Sequence, residues 1–187
     1  MYTTSDFKRG LRIEIEGQPY SIIEFEHHKP GKGASIVRTK LRNLVTGQVV
    51  SPTFRSGDKV GRPDVEDKDG QFLFAAGDTY TFMDPQSYEQ YEIHRDMLGD
   101  QVKFLVDGMH VSILFYQGKA VSVELPNSVV LQIVETEPAV KGDTATNATK
   151  KAKLATGHFV HVPLFMKEGE MVKVDTRSGE YLERVSK

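Results

Sequence analysis

A chain of 187 residues with 24 Lys+Arg, 26 Asp+Glu and no cysteine is long enough for one large domain or two to three small ones. The lack of cysteine removes disulfides, thiol nucleophiles and cysteine-based zinc or iron–sulfur sites, and it fits a reducing compartment. Residues 1–9 carry no apolar signal core and no run approaches the roughly 18 apolar residues of a membrane helix, so a soluble, cytoplasmic protein without membrane contact is expected.

The formal net charge of −2 is an average over uneven parts. Residues 1–64 carry 11 Lys/Arg against 7 Asp/Glu, residues 65–127 carry 4 against 11, and residues 128–187 carry 9 against 8. A basic first third can dock on phosphate, whereas the acidic middle is repelled from it or faces something basic.

Most segments are short, β-branched or aromatic, and punctuated by turn residues, which predicts an all-β protein. Leu11-Arg12-Ile13-Glu14-Ile15-Glu16 alternates apolar and polar, and Gly17-Gln18-Pro19 leads into a second strand over 20–26. Next comes Lys29-Pro30-Gly31-Lys32-Gly33, the predicted tip of a hairpin. Pro30 presets its own φ and the two glycines permit positive φ, so the chain turns tightly with little bulk around Lys32. The product is a thin finger carrying one cation, although spacing alone favours an ordinary solvated turn. Extended character resumes over 36–44, with Arg38, Lys40 and Arg42 on alternate positions, and Thr46-Gly47 turns into another strand. Several short strands with a basic outward face predict a small SH3-like barrel over residues 1–64.

The apolar-poor stretch 61–70 marks a boundary where the charge changes sign. Beyond it, strands are predicted over 71–74 and 79–83, a helix over 94–106 capped by Asp100 with Phe104 and Leu105 inward, and a hairpin over 111–123. Leu125-Pro126-Asn127 interrupts the strand pattern and closes a second block, 65–127. The third block, 128–187, offers strands over 129–134, 159–162 and 172–174, with a flexible segment over 141–153. Two consecutive blocks of about five strands each fit OB-like barrels.

Enzyme chemistry finds little footing. His158 and His161, three apart in a strand, point to opposite faces and do not converge on one ion, and the adjacent His27 and His28 fail similarly. No nucleophile elbow, phosphate-cradling loop or dinucleotide fingerprint is present. Lys32 is the one candidate nucleophile, and an exposed turn supplies neither the burial nor the neighbouring charge that activates a lysine. Generic single-strand binding calls for outward aromatics among basic residues, but most aromatics here fall at inward positions and there is no tryptophan. No metal, cofactor or catalytic residue is therefore expected.

Eight motifs in register over the whole chain resemble the bacterial translation elongation factor P family. They include Asp6-Phe7-Lys8-Arg9-Gly10-Leu11, Lys29-Pro30-Gly31-Lys32-Gly33, Lys40-Leu41-Arg42-Asn43-Leu44-Val45-Thr46-Gly47, Glu124-Leu125-Pro126-Asn127 and Val174-Asp175-Thr176-Arg177-Ser178-Gly179-Glu180-Tyr181. The resemblance implies an SH3-like (KOW-type) barrel followed by two OB folds in an L shape like a transfer RNA. It implies a monomeric, non-enzymatic factor that binds both ribosomal subunits between the P and E sites and relieves stalling at consecutive prolines. Lys32 would be extended by a modifying enzyme and reach the CCA end of peptidyl-tRNA. Arg38, Lys40 and Arg42 would meet ribosomal or transfer RNA, and Gly142, Asp143 and Thr144 would lie near the messenger codon in the E site.

Overall fold

The computed structural model describes residues 1–138 and 148–186. Antiparallel strands dominate it. The first block holds β1 (Tyr2–Thr3), β2 (Arg12–Ile15), β3 (Gln18–His28), β4 (Ile36–Asn43), β5 (Val49–Val50), β6 (Thr53–Arg55) and β7 (Lys59–Val60). Its main sheet runs β2-β3-β4-β5, with β6 also on β4, while β1 pairs with β7. Strict alternation along β4 places Val37, Thr39, Leu41 and Asn43 inside and Arg38, Lys40 and Arg42 outside. Val37 and Leu41 join Phe7, Ile13, Ile22 and Val60 in one core, where Phe54 meets Phe7 edge-on at 5.4 Å.

The second sheet is built from β8 (Val65–Ala76), β9 (Thr79–Met83), β10 (Gln90–His94), β11 (His110–Tyr116) and β12 (Lys119–Glu124), in the order β10-β9-β8-β11-β12. The third uses β13 (Ser128–Thr136), β14 (Thr149–Leu154), β15 (Phe159–Pro163), β16 (Met171–Asp175) and β17 (Tyr181–Val185), in the order β15-β14-β13-β16-β17. Both therefore follow strand order 3-2-1-4-5. A bulge curls each long first strand, between Phe72 and Phe74 in β8 and between Ile133 and Glu135 in β13. By contact the chain falls into two compact units, residues 1–68 with 113–122, and residues 69–112 with 123–187. Within the latter, Phe104 packs edge-on against His158 at 5.1 Å, and the Thr156 hydroxyl donates to the Lys103 carbonyl.

One local design occurs in each of the three five-stranded sheets. At 43–48, 84–89 and 175–180 an Asn or Asp side chain accepts two backbone N–H groups: Asn43 from Val45 and Thr46, Asp84 from Gln86 and Ser87, Asp175 from Arg177 and Ser178. The fifth residue of each turn then takes positive φ, at Gly47 (76°), Tyr88 (62°) and Gly179 (78°). These side chains replace the ladder bonds the turn interrupts. In the third sheet, the donors from Ser178 and then Arg177 hold the Asp175 carboxyl below the usual carboxylate range.

Two expectations are corrected. The helix over 94–106 is one α-turn, α1 (Arg95–Leu98), followed by a 3-10 segment, Gly99–Phe104. Gly99 at φ 58°, ψ −133° leaves the helical region, so the cap is His94, whose Nδ1 accepts from the Asp96 N–H at 3.1 Å, rather than Asp100. Phe104 and Leu105 are buried as expected. Within the stretch 61–70, β8 begins at Val65. The segment read as flexible over 141–153 ends in strand β14, which turns Lys150 inward and leaves Lys151 exposed.

Candidate functional site

The β3–β4 ladder runs without interruption from Glu24↔Lys40 to His28↔Ile36. Residues 29–35 lie beyond it and form the tip, with Lys29, Gly31, Lys32, Gly33 and Ala34 exposed and Pro30 half-buried. The two glycines do different work. Gly33 adopts φ 112°, a region that side chains resist, and a Cβ there would sit 3.8 Å from the Pro30 ring. Gly31 stays outside that region and has open space around it, so its contribution is slimness alone. Pro30 and Gly33 thus shape the turn that carries the Lys32 ammonium. His27 and His28 flank its base, both exposed, with the His27 ring edge-on to Phe25 at 5.8 Å.

Below the tip, the predicted basic row is present but not purely basic. Register sets Glu26 opposite Arg38 and Glu24 opposite Lys40, and the Lys40 ammonium lies 4.0 Å from the Glu24 carboxylate. Arg42 faces Ser21 instead. An open cleft of about 440 Å³ on this face is lined by Arg9, Glu24, Phe25, Glu26, Arg38, Thr39, Lys40 and Ser51. Arg9 and Ser51 escape a strand-by-strand reading, because only the folded barrel brings them beside β4. Gly142, Asp143 and Thr144 lie outside the described residues. His158 and His161 do not meet: the His158 ring nitrogen pairs with the Gly179 carbonyl at 3.2 Å, while His161 is exposed opposite Lys151.

A KOW-like barrel with an exposed lysine finger, followed by two five-stranded OB-type sheets, defines a class of small translation factors. Three family models match in chain order: the elongation factor P KOW-like domain over residues 3–60, the elongation factor P OB domain over 65–123, and the elongation factor P C-terminal region over 129–184. The chain belongs to the elongation factor P family. It is 54% identical to elongation factor P of Nitratidesulfovibrio vulgaris over 98% of this chain and 100% of that one. With elongation factor P of Natranaerobius thermophilus it shares 52% identity over 99% and 98%. Among solved structures, eukaryotic translation initiation factor 5A from Methanococcus jannaschii is 25% identical with a TM-score of 0.52, covering 65% of this chain and 92% of that one. The protein is accordingly a translation elongation factor of OB-fold type. Among the described residues, no helix is long and apolar enough to cross a membrane.

Proposed function

We propose that this chain enters the ribosome between the P and E sites as a non-enzymatic monomer in the cytoplasm, contacts both subunits, and steadies peptidyl-tRNA so that consecutive prolines are joined. The observation that carries this reading is the Lys32 finger: a slim, exposed turn beyond the last pair of a long hairpin, with Lys32 held between Gly31 and Gly33 and Lys29 at its start. Such a tip fits a narrow RNA cavity. Lys32, extended by a modifying enzyme, reaches the CCA end, while Lys29, Pro30, Gly31 and Gly33 shape its approach.

Three modules divide the work, residues 1–64, 65–127 and 128–187. Arg38, Lys40 and Arg42 bind ribosomal or transfer RNA beside the finger, and Gly142, Asp143 and Thr144 approach messenger RNA in the E site. A prolyl acceptor is a ring-constrained secondary amine, so geometry productive for peptidyl transfer is rarely populated. Bracing the peptidyl-tRNA raises that population, and each ~1.4 kcal/mol of barrier removed accelerates the step about tenfold. Chemistry stays with the ribosome. Reconstituted translation with and without the protein tests the proposal: acceleration confined to templates with consecutive prolines is expected, and equal effects on all templates contradict it.

A further inference from the structure

The third sheet presents an outward surface that the finger does not use. Along β14 and β15, Lys150, Ala152, Leu154, Val160 and Val162 point into the core. The alternate positions form three cross-strand pairs on the outer side, Thr149↔Pro163, Lys151↔His161 and Lys153↔Phe159. Phe159 is 50% exposed although it lies in a strand, an exposure it shares with Phe74 of β8. The Lys151 ammonium lies 4.4 Å from its ring centroid. Strands two and three of an OB fold, here β14 and β15, are the face on which such folds hold oligonucleotides.

We propose that this face is a stacking platform for single-stranded RNA, with one base on the Phe159 ring and Lys151 and Lys153 on the flanking phosphates. The inference rests on the reading that the third module meets RNA on the ribosome. A cation over an exposed ring is worth about 2- to 5-fold in an equilibrium, whereas a base stacked on an aromatic residue is worth about 5- to 150-fold. A base therefore displaces Lys151 from the ring and frees its ammonium for phosphate. The acidic groups lie on the other side: Glu135 pairs with Lys153 across β13–β14, and the Glu137 carboxylate accepts the Lys151 backbone N–H at 3.3 Å. This directs the RNA backbone toward β15, the outer strand of the sheet.

The second sheet supplies the contrast. On its corresponding strand β10, Gln90, Glu92 and His94 are exposed, while Tyr91 lies half-buried on the other side of the strand with its hydroxyl donating to the Glu89 carboxylate at 2.7 Å. The exposed side of β10 carries a carboxylate and no aromatic ring, so the platform belongs to the third sheet.

The test titrates the full-length protein with a labelled ten-nucleotide oligouridine, reading anisotropy and the backbone amide NMR shifts of residues 149–163. Shifts concentrated on β14 and β15 are expected. Phe159→Ala should weaken binding at least fivefold, Phe159→Tyr should retain it, and Lys151→Ala with Lys153→Ala should lower the salt slope by about 1.4. Lys119→Ala, which removes an exposed lysine elsewhere, should change nothing. Unchanged binding by Phe159→Ala, equal binding of a ten-base-pair RNA duplex, or shifts outside β14–β15 overturns the platform. Polyproline stimulation is measured on the same preparation, so a failed platform with intact stimulation leaves the functional proposal standing, and the reverse result removes that proposal alone.

Discussion

His28 and Ile36 form the last pair of the β3–β4 ladder, and everything between them is tip. Ladder bonds fix the strands up to that pair, so the direction of the finger is set by the barrel. The position of Lys32 beyond it is set by Pro30 and Gly33.

The glycines should therefore respond differently. Gly33→Val forces a β-branched residue toward φ 112°, at a strain of roughly 1–3 kcal/mol, and the tip will rearrange to escape it. Polyproline stimulation should fall at least tenfold while the melting temperature hardly changes, since residues 31–34 are exposed. Gly31→Ala, with open space around it, should retain most activity. Equal loss in both variants would show that slimness, not the turn, is what matters.

Charge reversal on β4 should be graded by register. Arg42→Glu removes a cation that faces Ser21, so ribosome affinity should drop clearly and the salt dependence should become shallower. Lys40→Glu should cost less, because Glu24 already lies 4.0 Å from Lys40 and offsets part of its charge. Binding at several salt concentrations checks the order, and a larger effect at Lys40 would refute it.

Tyr88 should be a site of relievable strain. It occupies the turn position held by Gly47 and Gly179, at φ 62°, and it is 70% exposed, so little burial is lost on its removal. Tyr88→Gly should stabilise the protein by about 0.5–1 kcal/mol in denaturant unfolding. A destabilised variant would mean that the ring packs usefully despite its exposure.

High pH should act through Tyr91. Its hydrogen bond to Glu89, reinforced by desolvation and the nearby carboxylates, pushes the phenol up to about 12. The neutral phenol is favoured by folding, so its contribution is full below about pH 10, the ordinary tyrosine value, and is lost as pH rises toward 12. Ultraviolet titration of the wild type minus Tyr91→Phe should give a difference curve centred near 12. A midpoint near 10 would show the bond absent in solution.

Much of this architecture was legible in the chain. Alternation over 11–16 and 36–44 marks β2 and β4, and the Pro30-Gly31-Lys32-Gly33 run marks the tip, because local backbone preference decides both. β14 escaped notice because lysines occupy three of its six positions, and only the fold turns Lys150 inward and Lys151 outward. Glu24 and Glu26 read as strand surface until register set them against Lys40 and Arg38. The long helix failed at Gly99, whose positive φ outweighs the apolar spacing of Phe104 and Leu105. Inward placement of most aromatics does not single out Phe159, which opens β15 on the outward phase.

The central claim is that Lys32, rather than the bulk of the molecule, accelerates proline joining. The direct measurement is the rate of polyproline synthesis with wild type and Lys32→Ala at concentrations that saturate the ribosome. Removing one cation from an exposed tip should lower ribosome affinity only a few-fold, whereas stimulation should be nearly abolished because the contact with the CCA end is gone. Wild-type stimulation by Lys32→Ala would contradict the account.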